Sequence, residues 1–223
     1  MIQAIFYKEW IKLHRYVLLA LAVTVAMTGY CMLRIDRAME LNGAAHIWEV
    51  MVMKDAIFID SLEYVPLIAG ILAALVQFLP EMQRKCLKLT LHLPCPQKKM
   101  LFTMSVTGAL LLLLCFAANF ALMLGYLGSV LPRELVCNIL SAAAPWYLAG
   151  LAAYLLTSWI CLEPTWKMRI FNILVASLII RVYFLGSAPK AYNGFLPWLT
   201  LYTLALSLLS WISVVRFKAG RQD

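Results

Sequence analysis

The chain has 223 residues, of which 64% are hydrophobic and only 13% charged, with a net charge of +8 and a mean hydropathy of +0.84. Soluble domains carry about 25% charged residues, so these totals exclude an ordinary soluble domain and leave no room for a second one. In so apolar a chain the surplus Lys and Arg act as topology signals, which sets nucleic-acid binding aside.

Residues 1–15 are predicted to form an amphipathic helix. At about 100° per residue, Ile2, Ile5, Phe6, Trp10 and Leu13 share one face, while Lys8, Lys12 and Arg15 share the other. Such a helix would lie in the membrane interface with its lysines against anionic lipid. Glu9 falls on the apolar side, where it requires a basic partner.

The first predicted span is 16–33, an uncleaved anchor whose apolar core is too long for a signal peptide. The stretch 34–60 is the largest soluble excursion. It contains a turn at Asn42-Gly43 and then a short amphipathic helix leading into the second span, 62–79. The third span lies within 101–130, with Asn119 near its middle. The fourth, 135–160, is expected to break at Pro145. The fifth, 170–185, is short and carries Arg181. A Gly/Pro loop at 186–197 precedes the last span, 196–215. The expected fold is therefore all-α: a polytopic membrane protein of six transmembrane helices with an N-terminal interfacial helix, forming a single domain over 1–223.

Charge supports placing both termini in the cytoplasm. Of the 19 Lys and Arg, thirteen then lie inside: Lys8, Lys12, Arg15, Arg84, Lys85, Lys88, Lys98, Lys99, Lys167, Arg169, Arg216, Lys218 and Arg221. That bias follows the positive-inside rule.

The longest basic stretch outside the spans is 81–99. Its leucines alternate as in a strand, but a strand here would have no partner. On a helix, Glu81, Arg84, Lys85, Lys88 and His92 fall within a polar sector of about 100°, and Leu87, Leu89, Leu91 and Leu93 lie outside it. Pro94 and Pro96 stop that helix. Its apolar arc is wider than resting on a membrane requires, so it suits a groove on another protein.

Sequence motifs for chemistry are missing. The chain has no phosphate-binding Gly-x-x-x-x-Gly-Lys-Ser/Thr loop, no His-Glu-x-x-His and no Gly-x-Ser-x-Gly. Cys86, His92 and Cys95 lack a fourth metal ligand. The other four cysteines read as small hydrophobes. Polar groups within spans are costly and often functional, which makes Asn119, Gln77 and Arg181 the candidates for a substrate path. For Asn119 a packing hydrogen bond between helices is the competing explanation. Trp146, Tyr147 and Trp198 are expected in an interfacial belt.

Three features together resemble the type-2 permease family of ATP-binding-cassette (ABC) transporters. Phe6-Tyr7-Lys8-Glu9-Trp10 with Arg15 is similar to that family's N-terminal interfacial helix. Glu81, then Leu89, Leu91, Leu93-Pro94 and Lys98-Lys99, is similar to its coupling helix, although Cys86 to Lys88 stand where a Gly-Thr is usual. The layout of six spans with both ends inside covers the whole chain. The resemblance implies an exporter subunit of the bacterial inner membrane, taking an amphipathic or hydrophobic substrate and working as a homo- or heterodimer of permeases. ATP and Mg would be bound and hydrolysed on separately encoded ATPase subunits, with no cofactor on this chain. Glu81, Arg84, Lys88, Leu91 and His92 would contact the ATPase, and Glu9 would link the interfacial helix to a basic residue of the segment. A non-transporting anchor or assembly protein and an integral-membrane enzyme are the rival classes.

Overall fold

A computed structural model describes residues 2–43, 49–51, 53, 58–83, 97–186, 188 and 191–218. Among them the fold is all-α, with no strand. The long helices are α1 (Ile2–Asn42), α2 (Val65–Gln83), α3 (Gln97–Val130), α4 (Arg133–Leu162), α5 (Trp166–Arg181) and α6 (Leu196–Lys218). Five of these, all but α5, are long and apolar enough to cross a bilayer. The chain is an integral membrane protein.

The expected separate interfacial helix and first span are one element. Helix α1 runs 41 residues without interruption, roughly 60 Å at 1.5 Å per residue and about twice a hydrocarbon core. No proline occurs in this stretch to stop it. It ends at the Asn42-Gly43 turn, where Gly43 takes φ 79° and its N–H bonds the Met39 carbonyl at 3.0 Å. A positive φ costs glycine nothing, so the residue caps the helix. Most of the short helix expected after it lies outside the described residues.

Contacts fix how the helices run. Along α1 and α3 the pairs Val17–Cys115, Thr24–Asn119 and Asp36–Tyr126 advance together, so these two helices are parallel. Helix α2 opposes α1, since Gln77 reaches Glu9 while Arg34 reaches Ser61, just before α2 begins. Glu163, in the link after α4, meets Ser213 near the end of α6. Tyr64, at the start of α2, stacks on Phe184 with ring centroids 5.3 Å apart. Helix α5 and the 3-10 turn Val182–Phe184 that extends it therefore run from the Glu163 end of the bundle to the Tyr64 end. The start of α1 and the end of α6 lie at the same end, here called the Glu9 end.

Helix α4 is the centre of the bundle. Ala143, Ala149, Ala152, Ala153 and Tyr154 are all fully buried. Small residues let helices approach closely in a membrane, where packing replaces the hydrophobic effect. A methyl group on Gly70 of α2 would overlap the Gly150 carbonyl of α4, and one on Gly150 would come within 2.6 Å of the Pro66 carbonyl oxygen. Pro145 does not break α4, contrary to expectation. It is buried inside a continuous helix, as spans tolerate when neighbouring helices pack around the lost hydrogen bond. Trp146 and Tyr147 also depart from the expected belt: both are buried, and Tyr147 meets Phe116 and Phe120 edge-on. Only Trp198 of the three is exposed.

Candidate functional site

The Glu9 end of the bundle holds a buried polar network contributed by four helices. Lys8, Glu9 and Lys12 fall on one side of α1, because positions three and four apart face the same way. Gln77 and Glu81 are one turn apart on α2. Tyr154 comes from α4, and the Met104 and Ser105 carbonyls come from α3. Glu9, Gln77 and Tyr154 are fully buried, and Glu81 is 2% exposed.

The hydrogen bonds form a continuous chain. Lys12 Nζ donates to Glu81 Oε1 and also to Glu9 Oε1, at 3.2 Å. Lys8 Nζ lies 2.8 Å from the same Glu81 oxygen. Gln77 Nε2 donates to Glu9 Oε2 at 3.0 Å and to the Met104 carbonyl at 2.8 Å. Tyr154 Oη donates to Gln77 Oε1 at 2.6 Å and sits 3.2 Å from the Ser105 carbonyl. Only one orientation of the Gln77 amide satisfies all these partners, since the amide nitrogen must face two acceptors and the amide oxygen a donor. Gly108 makes room for the bond: a methyl group there would overlap Tyr154 Oη and Gln77 Oε1.

Two carboxylates and two ammonium groups make the cluster neutral, which is how charge survives away from water. The two acids are nevertheless unlike. Both lie outside the apolar windows 16–33 and 62–79. Burial pushes Glu9 up, and Lys12, Lys8 and Gln77 only partly oppose it. Burial also acts on Glu81, but the hydrogen bonds from Lys12 and Lys8 outweigh it and hold that carboxyl below its ordinary value. Burial acts to lower Lys12 as well, and is overcome by Glu81 and Glu9, so this ammonium is held above its usual value. Glu81 Oε2 is buried and has no hydrogen-bond partner among the described residues.

This geometry bears on two expectations. Glu81 does not sit on an outward polar stripe; its carboxyl turns inward to α1. As expected of a helix continuing from the second span, the acid at the segment's root belongs to α2. The basic residues Arg84, Lys85 and Lys88, to one of which Glu9 was expected to link, lie outside the described residues. Among the described residues Glu9 pairs with the lysines of its own helix, and it is Glu81 that crosses to Lys8 and Lys12. Arg84, Lys88, Leu91 and His92, with Cys86 and Cys95, lie outside the described residues.

The other candidates are dispersed. Asn119 Nδ2 donates to Thr24 Oγ1 at 2.6 Å and to the Cys115 carbonyl at 3.0 Å, and its Oδ1 accepts from Thr28 at 3.3 Å. It is fully buried and joins α3 to α1. Arg181 ends α5 and is exposed near the opposite end of the bundle. Arg15 is exposed on α1, outside the network.

Sequence reasoning missed a second carboxylate cluster. Glu163 is fully buried. Its Oε2 accepts from Ser213 Oγ at 2.5 Å and lies 3.6 Å from Arg216, and its Oε1 accepts from Thr165 at 3.3 Å. Arg169 donates to its backbone carbonyl at 2.7 Å. The available signal was an acid placed in a three-residue link, with a cation near the end of the next helix that runs toward the Glu9 end. No protein-family model, curated protein or solved structure matches the chain.

Proposed function

We propose that this chain is the permease subunit of an ABC transporter, exporting an amphipathic or hydrophobic substrate while a separately encoded ATPase supplies the energy. The observation that carries this reading is the attachment of the 81–99 segment at its root. Glu81 is the last acid before Arg84, and Lys8 and Lys12 grip it. The same lysines reach Glu9, and Glu9 reaches Gln77 and Tyr154. A push on the segment is thereby delivered to four helices at once. A plain cytoplasmic loop has no need of so costly a buried anchor.

In this reading α5 supplies a sixth crossing. Its 16 residues cover roughly 24 Å, and the 3-10 turn Val182–Phe184 brings the rod to roughly 30 Å, the thickness of a hydrocarbon core. An even number of crossings also suits basic residues at both ends of the chain. The basic Glu9 end is then cytoplasmic, and the leucines of 87–93 dock in a cleft of the ATPase, with Arg84, Lys88 and His92 beside them. A second permease copy completes the pathway.

The test is ATP hydrolysis by the ATPase that co-purifies with this chain, reconstituted with it in lipid vesicles. Wild-type chain should stimulate turnover, whereas Leu91→Asp and Arg84→Glu, expressed at normal levels, should not. Equal stimulation by all three chains would remove the segment from the mechanism.

A further inference from the structure

Fifteen residues of α1, α2 and α3 line a groove of about 230 Å³ that begins one turn from Lys12 and Gln77 of the polar network and runs away from it. Its walls are α1 from Tyr16 to Met27 and α2 from Val65 to Ala73, and its floor is Leu112, Cys115 and Phe116 of α3. Because α1 and α2 oppose one another, Tyr16 and Ala73 mark the mouth nearest the Glu9 end. The groove thus follows the α1–α2 seam for about 16 Å, at 1.5 Å per residue along α1.

The polar groups of the lining leave little for a ligand to bond. Thr24 Oγ1 donates to the Leu21 carbonyl and accepts from Asn119, and Cys115 Sγ donates to the Val17 carbonyl. Only Tyr16, half exposed at the inner mouth, presents a hydroxyl. An occupant must therefore be one that needs no hydrogen bonds over most of its length. The volume falls below the 300–1,000 Å³ typical of sites that enclose whole ligands. So long and narrow a groove also cannot seat a helix, which is 10–12 Å across. A single hydrocarbon chain meets all three conditions.

Bilayer lipid is as apolar as the groove, so burying a chain there gains little by itself. Selection has to come from the head. Arg15 lies one turn before Leu19 on the same face of α1, and Leu19 lines the groove. It is exposed and makes no ion pair among the described residues. We infer that the α1–α2 groove seats one chain of an anionic amphiphile whose head group meets Arg15. The site stands whether or not an ATPase drives the protein, although it would name the substrate class if one does.

The experiment uses the full chain in lipid nanodiscs containing a phosphatidylglycerol with a photoreactive group at mid-chain, or the matching phosphatidylcholine. After illumination, adducts from the phosphatidylglycerol should concentrate on 16–27 and 65–73, several-fold above those on the lipid-facing α6 residues Leu204 and Leu208, and above those from phosphatidylcholine. Ala20→Phe and Ala73→Phe fill the groove from opposite walls, so one is informative if the other fails to fold. Either should reduce adducts in the groove several-fold without changing those on α6. Arg15→Gln should abolish the preference for phosphatidylglycerol while leaving some labelling. Even labelling across all lipid-facing helices, or groove labelling unchanged in both Phe variants, would overturn the chain site. Equal labelling by the two lipids in the wild-type chain would overturn the anionic head.

Discussion

Helices α4 and α1 are held in the bundle by different means. In the most apolar window of α4, 67% of residues are buried, against 17% for α1. Helix α4 is fixed largely by shape: its alanines are buried, Gly150 sits against the Pro66 backbone of α2, and its long-range side-chain hydrogen bonds among the described residues are those of Tyr154 and of Tyr147 to Met123. Helix α1 is largely exposed and is fastened at separated points, by Lys8, Glu9 and Lys12 at one end, Thr24 and Thr28 midway, and Arg34 and Asp36 at the other. Close-packed interfaces resist continuous deformation. Point fastenings instead let a helix tilt about those that remain. A movement transmitted through Glu81 would therefore be taken up more by α1 than by α4, which serves as the post.

The largest expected effect tests the post. Gly150→Val should exceed the about 1–3 kcal/mol of ordinary overpacking, because the obstacle is the Pro66 backbone rather than a side chain that can turn away. Thermal unfolding in detergent, followed by loss of the monodisperse peak, measures it. A variant as stable as wild type would mean that the α2–α4 contact is loose.

Next comes the inner fastening of α1. Lys12→Met leaves two buried acids sharing one partly exposed ammonium, and a loss of about 3 kcal/mol is expected. Lys12→Arg should retain most of the stability. If the Met variant matches wild type, the ion pairs are not holding the helix.

The midway fastening is weaker. Asn119→Leu should cost about 1 kcal/mol, the ordinary scale of an interhelical hydrogen bond in a membrane, and Thr24→Val should add little once Asn119 is gone. A much larger loss of transport than of stability would return Asn119 to the substrate path.

The smallest effect is a change of pH slope. Glu81, held low, stabilises the fold above the ordinary carboxylate range, and that contribution disappears as pH falls through its folded value. Glu9, held high, takes up a proton more readily when folded, so acidification relieves the cost of its buried charge. The two contributions oppose each other in the wild-type chain. Glu9→Gln leaves only the first, so its melting temperature should fall more steeply than wild type between pH 7 and 4. Parallel curves would show that the two acids are not differently poised.

Much of this architecture was legible in the sequence, because apolar length and turn residues are local properties. The windows for five of the six expected spans, the glycine stop after Asn42 and the need of Glu9 for a basic partner all came from counting along one helix. What was missed depends on neighbours. The inward turn of Glu81 becomes visible only once Gln77, one turn earlier, and Lys8 and Lys12, some seventy residues away, share a face. Tyr147 sits in the core because Phe116 and Phe120 pack there, which hydropathy does not register. Gly150 is unremarkable in sequence and decisive in contact with α2. Glu163 and Ser213, fifty residues apart, carry no common motif.

The most direct measurement is the composition of the complex purified from native membranes through a tag on this chain. A permease subunit should bring down an ATP-binding-cassette ATPase in equal amount, and Leu91→Asp should lose it while keeping the second permease copy. A wild-type chain that purifies without any such ATPase, from membranes shown to contain ATP-binding-cassette ATPases, would contradict the proposed function.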